Sequence, residues 1–528
     1  LNKPLLVHDY LKRSAGMFPD KTAVVCGEAR LTYGEVDRLS DGLALTLKAR
    51  GIRRHSRVAI FLDNSAESVI AVYGALKAGC VFVVLSGAMK AGKLACILRD
   101  SGASALVTHV RKRAEAQKAL DAAKDVSFVI WAGDGGKVPE GPGNIPWQEA
   151  VRACAPGPGG RTHGAGEIER VLDQDLAALV YTSGSSGEPR GVMSSHQNVV
   201  SAAGSIIRYL GNTPDDVILS ALPLSFDYGL YQVIMAFMFG GTVVLSDSFM
   251  YTAVILETIA REKVTGFPIV PTIAALLLKM NNLGAYDLGS LRYITNTGAA
   301  LPVEHIRKLR KALPRVEIFS MFGLTECKRV CYLPPSEIDR IPTSVGKAMP
   351  NCEVFLLREN GEEARPGEVG EMVVRGPNVM RGYWNAPGLT ERTFRDGAVP
   401  GEKVLYTGDF FKKDADGFLY FLGRKDDMIK TRGERVSPRE VENVISGIEG
   451  VFEAAVVGVQ DELMGQAVKA FVVRNGDGSL GQTDILRHCR DNLEPRMVPR
   501  FIEFVHALPR TPNGKVDKKA LRESGGPE

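Results

Sequence analysis

LAALVYTSGSSGEPRGVMSSHQNVV, residues 176–200, decides how this chain is read. An apolar strand pattern runs into Thr182, Ser183, Gly184, Ser185, Ser186 and Gly187, and then Arg190 and Gly191 lead into a helical pattern. Glycines let the backbone curl so that successive N–H groups face one centre, hydroxyls add donors, and Arg190 supplies positive charge. That combination predicts a loop built to hold polyphosphate. A Ser/Gly surface linker has the same composition, but linkers are seldom preceded by a buried-strand pattern. The stretch does not fit GxxxxGK[ST], so it is not a Walker A loop.

Outward from the loop, short Val/Ile/Leu-rich runs alternate with helical patterns: RVAIFL, then residues 65–79, then VFVVL, and again around 106–110 and 127–131. The alternation predicts α/β layers with parallel strands. Residues 133–166 are rich in Gly and Pro and read as an internal connection. From Gly367 the strands shorten and turns crowd in, as in GEVGEMVVRG and GFLYFLGRKDD, which predicts a smaller β-rich unit. Beyond Asp427 the pattern is a compact α/β unit: a helix over 437–445, strands EAAVVGV and VKAFVVR, and a helix over 483–493. No repeat of fixed period is present, so solenoids and propellers are set aside.

A chain of 528 residues is too long for one core and predicts at least two domains. Its 65 Lys plus Arg against 61 Asp plus Glu leave a net charge of +4, too little to draw a nucleic acid or an anionic membrane. Neither partner is expected. The longest apolar stretch, residues 233–245, is broken by Gly240 and Gly241 and falls short of the ~20 residues needed to span a bilayer. The first twenty residues turn polar too soon for a signal peptide. The eight cysteines lack paired CxxC spacing and read as reduced thiols, so the expected location is cytoplasmic.

YTSGSSGEPRG closely resembles the phosphate-loop signature of the adenylate-forming superfamily of acyl-CoA synthetases, amino-acid adenylation domains and luciferases. The loop's usual lysine is Arg190 here, which keeps the charge and changes its shape. IFSMFGLTECKRV resembles the aromatic-Gly-x-Thr-Glu motif. The resemblance implies that Phe322 and Gly323 lie beside the adenine, that the Thr325 hydroxyl contacts the α-phosphate and that Glu326 holds Mg2+, a hard cation that prefers oxygen ligands. Upstream, LRYITNTGAALP brings Gly298 and Ala299 to where the family passes backbone along nucleotide and acyl group; from the residues alone, a plain strand-to-helix turn is an equal reading. VLYTGDFFKKDADGFLYFLGRKDDMIKTRGERVSPREVE matches family motifs over nearly its whole length. By resemblance Asp409 takes the ribose hydroxyls, Arg424 lies near ribose and phosphate, Asp426 is a hinge, and Gly433 serves the thiol half-reaction. In LPRTPNGKVDKKAL the resemblance makes Lys515 the cation that bridges carboxylate and α-phosphate during adenylation.

Patterning and resemblance together imply an α/β protein. Its large N-terminal AMP-binding domain, residues 1–425, has layered α/β subdomains with a small β-rich part, and a small mobile α+β domain spans 426–528. They also imply an AMP-forming acid–thiol ligase that uses ATP, Mg2+ and coenzyme A. The alternative acceptor is the phosphopantetheine of a separate carrier protein; a luciferase-like oxidase and a catalytically silent nucleotide binder are further readings on the same fold. In LPLSFDYGLYQ, the Phe226-Asp227 pair falls where amino-acid-activating relatives place Phe-Asp, which would let Asp227 read a substrate ammonium. A buried carboxylate wants a cation or donors, and Asp227 could equally sit at a pocket rim or cap a helix. His196 reads as a helix-start or core histidine.

Overall fold

A computed structural model describes residues 4–133, 138–141, 143–152, 170–183, 189–280, 282–425, 427–431, 434–461, 464–475, 480–511 and 516–524. Two large sheets dominate. In the first, six parallel strands run in the order Asn144–Pro146, Phe128–Ala132, Ala103–His109, Arg57–Leu62, Val81–Ser86, Leu176–Ser183, and Pro189–Ser195 closes the edge antiparallel. The central strands are apolar through their middles because helices cover both faces: Val58, Ala59 and Ile60 are all fully buried. The intervening helix Ala66–Lys77 starts where the Ser65 side chain accepts from Ser68 N–H.

The second sheet has nine strands. Six are parallel, in the order Glu317–Phe322, Tyr293–Asn296, Gly266–Ile269, Val217–Ser220, Thr242–Leu245, Thr22–Cys26, with antiparallel strands at both ends. The apolar stretch near 233–245 is the end of helix Asp227–Phe239, a stop at Gly240 (φ +80°) and a core strand. A third, antiparallel sheet holds Glu353–Leu357, Val369–Arg375, Lys403–Lys413, Phe394–Asp396 and Leu419–Arg424. Residues 429–504 supply a fourth sheet with its own cores, one under helices Pro438–Ser446 and Gln482–Asn492 and one under Lys518–Ser524.

The structure departs from the expected pattern at two places. Within the stretch read as an internal connection, Asn144–Pro146 pairs with Phe128–Ala132 and Trp147–Arg152 forms a helix, because Ile145, Trp147, Ala150 and Val151 are buried and Trp131 Nε1 donates to Asn144 Oδ1 at 2.7 Å. A short apolar set outweighs the Gly/Pro composition around it. After the phosphate-loop stretch the chain does not go directly into a helix: Pro189–Ser195 first returns as a strand, its buried Val192 packing into the core. Only then does His196–Leu210 begin, under a reciprocal Ser195/Asn198 capping box.

Candidate active site

In an open α/β sheet the loops that leave the carboxyl ends of parallel strands form the crevice for ligands. Here those connections are 221–226, Val270, 297–302 and 323–330, beside the antiparallel pair 176–183 and 189–195. Arg190 stands opposite Thr182 in that pair. Gly184, Ser185, Ser186 and Gly187 lie outside the described residues, as do Asp426, expected as a hinge, Gly433 and Lys515; of Ser183 only the backbone is described.

The loop after Glu317–Phe322 is folded tightly. A Cβ on Gly323 would sit 2.0 Å from the Lys328 carbonyl oxygen, so only glycine admits this close approach. Cys327 N–H bonds Leu324 O, and Arg329 N–H bonds Cys327 O at 2.8 Å. With φ +64° at Lys328, the latter closes a γ-turn of the rare positive-φ kind. Buried Asn378 holds it: its Nδ2 donates at 3.0 Å to the carbonyls of both Cys327 and Arg329. Asn198, from the capping box, donates in turn to Pro377 O and Val379 O, on either side of Asn378.

Thr325 and Glu326 are left half-exposed on one side of this loop. Tyr383 Oη donates to Glu326 Oε1 at 2.6 Å, and burial together with the neighbouring carboxylate pushes the phenol's pKa up, so it stays a donor. Arg190 and Arg424 share this neighbourhood, acting electrostatically on Tyr383 and with Glu326 respectively. Phe322 is half-buried in a cluster with Phe411 (4.9 Å, edge-on) and Phe421 (5.8 Å, stacked), which ties the second sheet to the third. Next to that cluster, Asp409 and Arg424 are opposed across Lys403–Lys413 and Leu419–Arg424, with Arg424 Nε 3.2 Å from Asp409 Oδ1. Gly298, at φ +86°, turns the chain after Tyr293–Asn296, and Asn296 Nδ2 donates to Ala299 O at 3.0 Å. The structure therefore gathers Thr182, Arg190, Phe322, Gly323, Thr325, Glu326, Asp409, Arg424, Gly298 and Ala299 around the carboxyl edges of the two large sheets.

On its other side the loop buries two cations. Lys328 Nζ lies 3.2 Å from Asp227 Oδ2 and 4.1 Å over the Tyr231 ring, with side chains 4% and 11% exposed for Lys328 and Asp227. The contact is an ion pair without a well-aligned hydrogen bond, and burial lowers the lysine's pKa against the opposing pull of Asp227. Asp227 thus has a cation from its own chain, and it opens the helix behind the half-buried Phe226. His196 is buried at the start of its helix, accepts from Val7 N–H at 3.1 Å, and is held by burial to about 4, hence neutral.

Sequence reasoning passed over Tyr383, Asn378, Asn198, Lys328 and Arg329. The adjacent cations in CKRVCYL, set between apolar residues, were a usable signal, since buried charge needs a reason. The asparagines carried none, because their role depends on carbonyls distant in sequence.

A family model described as AMP-binding enzyme matches residues 11–384, and one for the AMP-binding enzyme C-terminal domain matches 440–515. The chain is 31% identical over 518 residues to an indoleacetate–CoA ligase of Aromatoleum aromaticum, covering 98% of this chain and 97% of that one. It is 33% identical over 517 residues to a feruloyl-CoA synthase of Amycolatopsis, covering 97% and 98%. Among solved structures, the anthranilate CoA ligase AuaEII with anthranoyl-AMP superposes with a TM-score of 0.90 at 27% identity, covering 100% of this chain and 98% of that one. Matched along both parts and over nearly its full length, the chain belongs to the AMP-binding enzyme family.

Proposed function

We propose that this chain, an AMP-forming acid–CoA ligase, activates an acid that carries no amino group. The observation that carries the choice of acid is the Asp227–Lys328 pair: the carboxylate that could have read a substrate ammonium already has a buried counter-ion. Carboxylate oxygen attacks the α-phosphate, pyrophosphate leaves, and the acyl-adenylate then acylates the thiol of coenzyme A, with no covalent enzyme intermediate.

The residue roles follow the resemblance and the geometry. Arg190, Thr182 and the stretch 183–187 hold phosphates, Thr325 faces the α-phosphate, Phe322 with Gly323 and Gly298 with Ala299 border the nucleotide, and Asp409 with Arg424 takes the ribose. Glu326 is the carboxylate that the resemblance assigns to Mg2+. Among the described residues no group of three or more His, Cys, Asp or Glu could hold a metal ion. A Mg2+ here would draw its other ligands from phosphate and water, as this ion ordinarily does at nucleotide sites, and would neutralise triphosphate charge. Lys515 serves adenylation and Gly433 the thiol step, exchanged by rotation of a C-terminal domain, 426–528, about Asp426.

No helix among the described residues is long and apolar enough to cross a membrane. Cys26, Cys80, Cys96, Cys327, Cys331, Cys352 and Cys489 are free thiols, which suits a reducing compartment such as the cytoplasm.

The test is acid-dependent ATP–pyrophosphate exchange over fatty, aryl, short-chain and amino acids, followed by trapping with coenzyme A. Exchange with non-amino acids and a CoA thioester is expected; exchange confined to amino acids would retire the reading of Asp227. Lys515→Ala should abolish exchange and leave thioester formation from supplied acyl-adenylate largely intact, and equal loss of both steps would refute the two-arrangement scheme.

A further inference from the structure

The charges around the γ-turn do not balance. Asp227 and Lys328 cancel, and Arg329 beside them is 6% exposed. Its Cζ lies 5.2 Å from the Tyr228 ring and its charge acts on the Tyr209 hydroxyl, but Nε has no hydrogen-bond partner and no carboxylate among the described residues forms an ion pair with it. A buried guanidinium without an anion is costly, and such a group persists where a ligand supplies the missing charge. The strained backbone that carries it and the two asparagines in series that hold that backbone are the marks of a maintained geometry.

The surroundings suit a polar ligand group rather than an alkyl chain. Tyr228 Oη is fixed to Thr295, 2.9 Å from its carbonyl oxygen and 2.6 Å from its Oγ1, at the carboxyl end of a parallel strand. The next two residues bring Asn296 Oδ1 and Thr297 Oγ1, both buried and without partners, to the turn at Gly298. Arg329 lies on the side of the loop that packs against helices His196–Leu210 and Asp227–Phe239, whereas Glu326 faces Tyr383.

We infer that the acid is a dicarboxylic acid whose second, non-reacting carboxylate is held by Arg329. Planar guanidinium and carboxylate match as a forked pair, and the anion restores neutrality to the buried group of charges. The inference rests on the ligase reading above and sharpens its substrate class.

The experiment is ATP–pyrophosphate exchange on the full chain with a homologous series of α,ω-dicarboxylic acids and terephthalate. Each is set against its own monomethyl ester, for wild type, Arg329→Gln and Arg329→Lys. For the best diacid, wild type should favour it over its ester by at least about tenfold in kcat/KM. Arg329→Gln should bring that ratio to about one with KM for ATP unchanged, and Arg329→Lys should keep part of the preference. Esters used as well as diacids by wild type would overturn the inference, and that ratio decides even if the Gln variant fails to fold. Equal loss for all acids in Arg329→Gln, or a rise in KM for ATP, would overturn it too, by assigning the guanidinium to the fold or to the nucleotide. Exchange with monoacids alone sinks this inference and leaves the ligase standing; no exchange with any acid sinks both.

Discussion

Tyr383→Phe removes one oxygen atom from the site and tests whether Glu326 is positioned by its phenol. The hydroxyl donates to Glu326 Oε1 at 2.6 Å, a charge-assisted bond of the kind worth roughly 1.5–3 kcal/mol when lost. Glu326 is half-buried, so water can replace part of the interaction, and the lower end, about 1.5 kcal/mol, is the appropriate figure. At about 1.4 kcal/mol per decade that is roughly a tenfold fall in kcat/KM for acid-dependent exchange. The ring remains to pack edge-on against Phe394 at 5.7 Å, and Tyr383 N–H still bonds Thr390 Oγ1, so unfolding free energy should fall by no more than the bond itself, about 1.5 kcal/mol. A carboxylate freed to rotate should also raise the Mg2+ concentration that gives half-maximal exchange. Exchange kinetics against Mg2+, with urea unfolding of both proteins, make the test. Unchanged rate and Mg2+ dependence in a folded variant would refute the positioning argument, as would a loss fully explained by unfolding.

Two predictions concern stability. Asp227→Asn leaves Lys328 charged and unpaired, so it should cost on the order of 3 kcal/mol in urea unfolding, and the double variant Asp227→Asn, Lys328→Met should recover most of that; additive losses would show that the pair is not coupled. Burial holds His196 down to about 4 against an unfolded value near 6.5, so the folded state binds fewer protons. Its contribution is complete above about pH 6.5 and is lost as pH falls toward 4, on the order of 3 kcal/mol in total. His8, its ring centroid 5.6 Å away and held by burial to about 3, acts with the same sign. His196→Asn keeps an acceptor for Val7 N–H and should flatten the stability profile between pH 6.5 and 4; an unchanged slope would place the acid sensitivity elsewhere.

The layered α/β plan was legible because parallel strands buried on both faces must be continuously apolar, as RVAIFL and VFVVL are. Short elements were not legible. Asn144–Pro146 and Trp147–Arg152 are fixed by tertiary contacts of Ile145 and Trp147 that outweigh the surrounding Gly and Pro, and Pro189–Ser195 exists because Leu176–Ser183 offers it an edge. The same division runs through the site. Thr325, Glu326, Asp409 and Arg424 sit in contiguous motifs and could be read in order. The counter-ion of Asp227 could not, since Lys328 is 101 positions away and meets it only through a turn that the sequence does not announce.

In the proposed assignment, that turn lets one short loop face both the nucleotide and the acid. Between Gly323 and Arg329 the chain presents Thr325 and Glu326 on one side and Lys328 and Arg329 on the other, which an ordinary helical or extended segment of seven residues would spread over 10 Å or more. The reversal requires a glycine at 323, where any Cβ would strike the Lys328 carbonyl, and positive φ at a lysine. A lone lysine would relax out of that conformation, which costs of order 1–3 kcal/mol. Two bonds from Asn378 and the ion pair to Asp227 oppose the relaxation, and Asn378 is itself held between carbonyls bonded by Asn198. The phosphate-loop strand Pro189–Ser195 ends at the capping box that contains Asn198. That strand is therefore joined by a contiguous set of hydrogen bonds to the backbone that carries Lys328 and Arg329, and under the proposed assignment this set would link the nucleotide side of the loop to the acid side.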